Sequence, residues 1–200
     1  MPDVNRRIAS GWLLVAVLSA SLAACRQPAP SAPKTAQDSY RRPQLLVAAL
    51  ALRTGDHVAE IGAGGGYLTR YLATAVGPAG RIVATDIDDG ALAALADRVR
   101  QERLDQVLPR RVTTEDPGLE SAAYDLILMA QVDHLLADRS AYLRRLVPAL
   151  RPGSRSRIAV SNRESHRAEL LTAAVAAGLH IEPAQPAPDL PGQYLLFLRP

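Results

Sequence analysis

Hydrophobic and polar positions follow two rhythms along this chain, and the change from one to the other marks the elements. His57-Val58-Ala59-Glu60-Ile61 alternates with the period of a strand and runs straight into a glycine cluster. Ahead of it, residues 43–52 predict a short helix stopped by Thr54-Gly55-Asp56. Beyond the glycines, Leu68, Tyr71, Leu72 and Ala75 stand at i, i+3, i+4 and i+7, a helical stripe over 67–76 that Gly77-Pro78 ends. A second strand is predicted over 81–85, then a helix capped by Asp88 or Asp89 with Leu92, Leu95 and Val99 on its face. Residues 107–113 predict a third strand despite Pro109. Proline has no N–H for a ladder, so that strand has to lie at a sheet edge. The fourth strand, 124–129, ends in an unbroken apolar run, as a strand covered on both faces does. A helix over 138–150, disturbed by Pro148, leads to a fifth strand at 157–161. A helix over 164–177 is stopped by Gly178, and strands at 179–182 and 193–198 follow, across a proline-rich connection. No internal repeat is visible. Strands alternating with helices in this way predict an α/β fold, a parallel sheet with helices on both faces.

The first residues read differently. Arg6 and Arg7 give a basic start, and residues 11–24 are uncharged and mostly apolar, too short to cross a bilayer core. That is the pattern of a secretory signal. The run closes in Leu22-Ala23-Ala24-Cys25, which resembles the lipobox of bacterial lipoproteins. The resemblance implies that Cys25 is acylated and becomes the mature N-terminus, anchoring an exported protein to the membrane on its periplasmic side. Arg26 after the cysteine, where Asp is absent, implies the outer membrane in a Gram-negative host. A plain signal peptide with an incidental cysteine is the alternative. Residues 25–39, rich in Pro, Ala, Ser and Gln, predict a flexible tether. The expected organisation is signal peptide 1–24, tether 25–39 and one folded domain from 40 to 200.

Composition narrows the chemistry. With 48% hydrophobic and 22% charged residues the chain is an ordinary globular protein. The single cysteine excludes an internal disulfide framework and a Cys-rich zinc site. A net charge of +3 spread over separate arginine pairs, with 1 Trp, 6 Tyr and 1 Phe, argues against a nucleic-acid surface, which concentrates cations and stacking rings on one face.

Glu60-Ile61-Gly62-Ala63-Gly64-Gly65-Gly66 carries the sharpest signal, because it lies between a strand and its helix, where open α/β sheets bind ligands. A dinucleotide fingerprint needs Gly or Ala at the sixth position counted from Gly62, and that position is Tyr67. No Gly-Lys-Ser/Thr follows, so a phosphate loop is excluded too. The acidic-x-Gly-x-Gly-x-Gly spacing resembles the first motif of class I S-adenosylmethionine-dependent methyltransferases. Their co-substrate carries a sulfonium and an ammonium and no phosphate, so a negative residue suits it. Asp86 stands twenty residues after Gly66, at the end of the second strand, where such folds hold ribose hydroxyls. Enzymes of this resemblance place an acid after the third strand on the adenine amino group; Glu115 fits that offset, with Asp116 the alternative.

The similarity extends over most of residues 40–200, to a group of small bacterial methyltransferases. It rests also on Val132-Asp133-His134, on Tyr142-Leu143-Arg144-Arg145-Leu146, on Arg151-Pro152-Gly153 and on Gly192-Gln193-Tyr194. It implies a Rossmann-like seven-stranded sheet of order 3-2-1-4-5-7-6 with the last strand antiparallel, which puts the Pro109 strand at an edge as its own residues require. Ser154-Arg155-Ser156-Arg157 departs from the group, which carries a second glycine and then apolar residues there. For the acceptor side, Asp133 and His134 are the candidates: a histidine beside an acid suits a general base near neutral pH. Methyl transfer from a sulfonium needs little beyond orientation of the acceptor, so a base is not required. The acceptor, whether small molecule, lipid-like or protein, is not legible, and neither a metal nor a nucleic-acid partner is expected. The contrasting expectation is an exported, non-catalytic module that binds S-adenosylmethionine or a nucleoside, since that compound is made in the cytoplasm. Loss of a motif glycine would favour it, and none is lost.

Overall fold

The computed structural model describes residues 41–153, 155–184 and 188–200. The expected signal peptide, the lipobox with Cys25 and the tether lie outside the described residues. Helix α1 (Pro43–Ala49) precedes β1 (His57–Ile61), α2 (Thr69–Val76), β2 (Arg81–Asp86), α3 (Asp89–Glu102) and β3 (Val107–Arg111). Then come β4 (Leu126–Ala130), α4 (Arg139–Leu146), β5 (Arg157–Arg163), α5 (Arg167–Ala176), β6 (His180–Pro183) and β7 (Gln193–Arg199). The seven strands form one sheet in the order β3-β2-β1-β4-β5-β7-β6. β1 to β5 pair in parallel, and β7 runs antiparallel to both β5 and β6.

Strand residues alternate between two cores. Val58, Ile82, Ala84, Leu126 and Leu128 pack under α1, α2 and α3 together with Leu46, Leu72 and Leu95. Ala59, Val83, Ile127, Met129 and Val160 pack under α4 and α5 with Tyr142, Leu146 and Leu170. This is why β4 is apolar without a break: both of its faces are covered. β3 pairs with β2 alone, so Pro109, opposite Ala84, sits on the edge strand that its missing N–H demands.

Local chemistry explains most element ends. The Asp88 side chain, not that of Asp89, caps α3 by accepting from the Ala91 N–H at 2.6 Å. Pro148 ends α4, and the chain continues as a single 3₁₀ turn, Val147–Ala149. At the end of α5, Gly178 takes φ +78° while its N–H and that of Leu179 bond back to the Val175 and Ala174 carbonyls.

Three expectations shift. The α2 stripe is widened: Leu68 and Leu72 are buried as predicted and Tyr71 and Ala75 are partly covered against the same core, but Thr69, Ala73 and Val76 are buried as well. Tyr71 also packs edge-on against Tyr67. The helix expected from residue 164 begins as a 3₁₀ turn, Glu164–His166, and becomes α-helical only at Arg167. β5 runs two residues past the predicted end, to Arg163, because the β7 ladder continues through Asn162↔Tyr194 and Arg163↔Gln193. The departure at 154–157 leaves β5 in register, with Arg157 opposite Leu126. The Arg157 guanidinium stacks 3.8 Å from the Phe197 ring centre and donates to the Leu50 carbonyl.

Candidate functional site

The parallel strands end together, and the loops that leave them carry the site residues. The glycine loop is held to β2: the Gly62 and Ala63 N–H groups both donate to the Thr85 carbonyl at 2.9 Å. Asp86 fastens it further, accepting from the Gly64 N–H at 2.7 Å and from the Asp88 N–H at 3.0 Å. Gly62 has φ +71°, and a Cβ there would stand 2.7 Å from a Val132 methyl. Gly66 has φ +79°, and its Cβ would strike Leu95. Gly64 differs, because a Cβ built on it meets nothing within 4 Å. Its surface is open to a ligand.

Glu60, the acid that leads the motif, is 3% exposed and lies in the wall of a cleft with Gly62 and Ala63. The Thr69 hydroxyl donates to Glu60 Oε2 at 2.6 Å, and no described cation pairs with the carboxylate. Burial drives its pKa from 4.5 up to about 7; the Thr69 hydrogen bond opposes this and the Asp86 charge adds to it. A buried acid without a cation is costly to ionise, and a ligand ammonium relieves that cost. The cleft therefore fits the charge of the methionyl end of S-adenosylmethionine. Asp86 holds the glycine loop and is not among the residues that line the cleft, and Ile87 beside it offers a half-exposed apolar side chain.

The far wall of the cleft is neutral and polar. Ser161 Oγ is buried without a hydrogen-bond partner among the described residues. Gln131, at φ +61°, donates from its side chain to Gln193 Oε1 at 2.9 Å, tying the end of β4 to the start of β7. Sequence reasoning missed this wall. The signal was present in polar Ser161-Asn162 at the end of the apolar run Ile158–Val160, which read as a strand end.

Asp133 and His134 occupy a 3₁₀ turn, Asp133–Leu135, after β4, and the structure brings them together through Asn162. Asp133 is 1% exposed, and its Oδ1 accepts from Asn162 Nδ2 at 2.6 Å. The same amide lies 3.0 Å from His134 Nδ1. A carboxylate only accepts, so the end of Asn162 facing both groups is its NH₂. Nδ1 then accepts and Nε2 carries the proton of the neutral ring. His134 stacks on His166 at 4.6 Å. Its pKa is lowered, first by burial and then by His166, against the pull of Asp133. An imidazole held in this way suits hydrogen-bond donation better than proton abstraction. Neither residue lines the cleft. Asp133 Oδ2 and Tyr194 OH, both buried, lack hydrogen-bond partners among the described residues.

Glu115 and Asp116 sit exposed on the turn after β3. Asp116 accepts from the Gly118 N–H at 2.8 Å, and both N–H groups of the pair donate to the Thr113 hydroxyl. The Thr114 hydroxyl bonds the Glu115 carboxylate and holds its pKa below the usual range. The structure leaves both outside the cleft lining. Among the described residues, no group of three or more His, Cys, Asp or Glu is placed to hold a metal ion.

Known proteins place this arrangement. Residues 59–156 match the methyltransferase domain family. The fold aligns with a SAM-dependent methyltransferase from Aquifex aeolicus at a TM-score of 0.73, covering 82% of this chain and 93% of that one at 17% identity. The chain has the class I methyltransferase fold. A SAM-dependent O-methyltransferase from Thermotoga maritima aligns at a TM-score of 0.62, with 17% identity over 79% of this chain and 64% of that one. The cyclase SpnF aligns at 0.61, with 21% identity over 72% and 60% of the two chains. One fold thus carries differently named chemistry, and function has to be argued from the site. In sequence, the biotin biosynthesis bifunctional protein BioCD of Bordetella avium is 38% identical over 125 residues, 60% of this chain. The chain spans about a quarter of that protein's length.

Proposed function

We propose that this domain binds S-adenosylmethionine across the carboxyl ends of β1 and β2 and methylates an acceptor that meets it beside the Gln131–Ser161 wall. The observation that carries the reading is Glu60, a buried acid that pairs with no described cation and shares a cleft wall with Gly62 and Ala63. When bound, the co-substrate supplies an electrophilic methyl group on a sulfonium. Glu60 takes the ammonium, Asp86 the ribose hydroxyls, and the Gly64 surface allows close approach. Glu115 or Asp116 reaches the adenine amino group only if the turn after β3 folds toward the cleft. Ser161 and Gln131 orient the acceptor, whose lone pair forms the new bond to carbon as the carbon–sulfur bond breaks. No cleft side chain is needed as a base where the acceptor's proton passes to water. Asp133 and His134 act from the neighbouring turn, His134 as a donor that helps position the acceptor. Calorimetric titration of the full-length chain with S-adenosylmethionine, its demethylated product and NAD tests the cofactor. The first two are expected to bind and NAD not, since Tyr67 occupies the place where a pyrophosphate approach needs glycine or alanine. Tighter binding of NAD would reject the reading.

We also propose that the protein is exported and held at the membrane through acylated Cys25. Support comes from the basic start, the short apolar run and the lipobox-like ending. Among the described residues no helix is long and apolar enough to cross a membrane. Each buried methylene contributes about 0.8 kcal/mol and one chain anchors only marginally, so stable attachment requires the several chains of a bacterial lipoprotein. Cys25→Ser is expected to move the protein from the membrane to the soluble fraction. The N-terminal peptide of the parent should gain the mass of its acyl groups. An unmodified thiol in the parent, or a variant that still sediments with membranes, refutes the anchor.

A further inference from the structure

We propose that Arg41 is the carboxylate clamp of the cleft, which makes the segment leading into α1 part of the binding site for the amino-acid end of the co-substrate. The inference rests on the S-adenosylmethionine reading above and assigns a residue that neither the glycine motif nor the strand ends contain. Arg41 is partly buried and lines the same cleft as Glu60 and Gly62. Its guanidinium lies 5.5 Å from the centre of the Tyr67 ring, in the loop that follows the glycine cluster. Among the described residues, no carboxylate stands within ion-pair distance of it.

Other described arginines, Arg53, Arg103 and Arg163 among them, also lack an ion-paired carboxylate, but Arg41 is the described arginine that lines the Glu60 cleft. Adjacent Arg42 pairs with Asp189, Arg110 with Glu120, Arg151 with Asp125 and Arg139 with both Asp133 and Glu169. The cleft therefore presents one acid without a cation and one cation without an acid, and the two are not joined to each other. An α-amino acid group carries an ammonium and a carboxylate on a single carbon and answers both at once. A nucleoside without that group answers neither. A guanidinium backed by a ring face keeps its edge free for the two parallel hydrogen bonds that a carboxylate accepts. A lysine ammonium, being a point charge, cannot reproduce that fork.

The test compares S-adenosylmethionine with its decarboxylated form, which keeps the ammonium, sulfonium and ribose and lacks only the carboxylate. In calorimetry on the full-length chain, the parent is expected to prefer S-adenosylmethionine at least tenfold. Arg41→Leu should lose at least tenfold in affinity for S-adenosylmethionine while binding the decarboxylated form as well as the parent does, or better, so that the preference disappears. Arg41→Lys should fall between the two. Unchanged affinity of Arg41→Leu for S-adenosylmethionine, or an equal loss for both ligands, overturns the clamp. Thermal melting without ligand checks that the variant folds. The parent's own discrimination is an independent arm, and equal affinity of the parent for the two ligands also overturns it. If the parent binds neither ligand, the cofactor reading falls and the clamp falls with it.

Discussion

Glu60→Gln is expected to stabilise the protein without added ligand at pH 8 and to weaken S-adenosylmethionine binding at least tenfold. Burial raises the Glu60 pKa from 4.5 to about 7 in the folded protein. A group whose folded pKa is raised favours folding fully below the unfolded value and loses that contribution as pH rises through the folded one. At roughly 1.4 kcal/mol per pH unit, the parent should lose about 2–3 kcal/mol from this group between pH 5 and pH 8. Glutamine keeps an acceptor for the Thr69 hydroxyl and has nothing to ionise. Denaturant melts of both proteins at pH 5, 6, 7 and 8 isolate the effect, since all other groups cancel in the difference. A parallel pH dependence for parent and variant would show that Glu60 titrates normally. Ligand binding carries the opposite sign: an ammonium beside Glu60 favours the ionised form. Binding near pH 6.5 should therefore release protons, and affinity should rise with pH toward 8. Calorimetry in two buffers of different ionisation heat reads that release directly.

Asp86→Ala is expected to lower affinity for S-adenosylmethionine roughly tenfold to a hundredfold, the equivalent of about 1.5–3 kcal/mol. Two effects combine. In the proposed reading the carboxylate takes charge-assisted hydrogen bonds from the ribose, and in the structure it accepts from the Gly64 and Asp88 N–H groups. Truncation thus removes a ligand contact and loosens the loop beneath the ligand. Asp86→Asn separates the two, because the amide oxygen still serves one main-chain donor while the charge is gone. Its melting temperature should stay nearer the parent's than that of the alanine variant, with most of the affinity loss retained. Equal affinity of Asp86→Ala and the parent would mean that the ribose contact lies elsewhere. Because the Asp86 charge also raises the Glu60 pKa, the midpoint of the pH-dependent stability should move down in either variant.

The two acids show how far a linear reading reaches. Both were recognisable from position: Glu60 leads the glycine motif and Asp86 closes the second strand. Their difference was not. Glu60 lies in the cleft wall, where among the described residues its side chain bonds Thr69, while Asp86 is engaged with two main-chain donors of the loop region. Alternation along β1 decides which face a side chain takes, but its neighbours come from α2 and β2, which the fold brings alongside. Asp133 and His134 give the same lesson in reverse. A histidine next to an acid reads as a base until Asn162, twenty-eight residues beyond His134, is seen bonding to both.

What the amino-acid sequence determined by itself is whatever depends on near neighbours. The strand–helix alternation, the glycine turn, a cap at Asp88 or Asp89, the disturbance at Pro148, the helix stop at Gly178 and the edge position of the Pro109 strand all follow from φ preferences, N–H inventory and periodicity within a few residues. Tertiary structure alone decided which polar groups meet. Ser161, Asn162 and Tyr194 sit at strand ends whose pairing depends on the β5–β7 register, and Arg41 reaches the glycine loop only because α1 packs on the same core as α2. Register and helix docking are set by the summed burial of two whole apolar faces, a property of the assembled sheet that no local window contains.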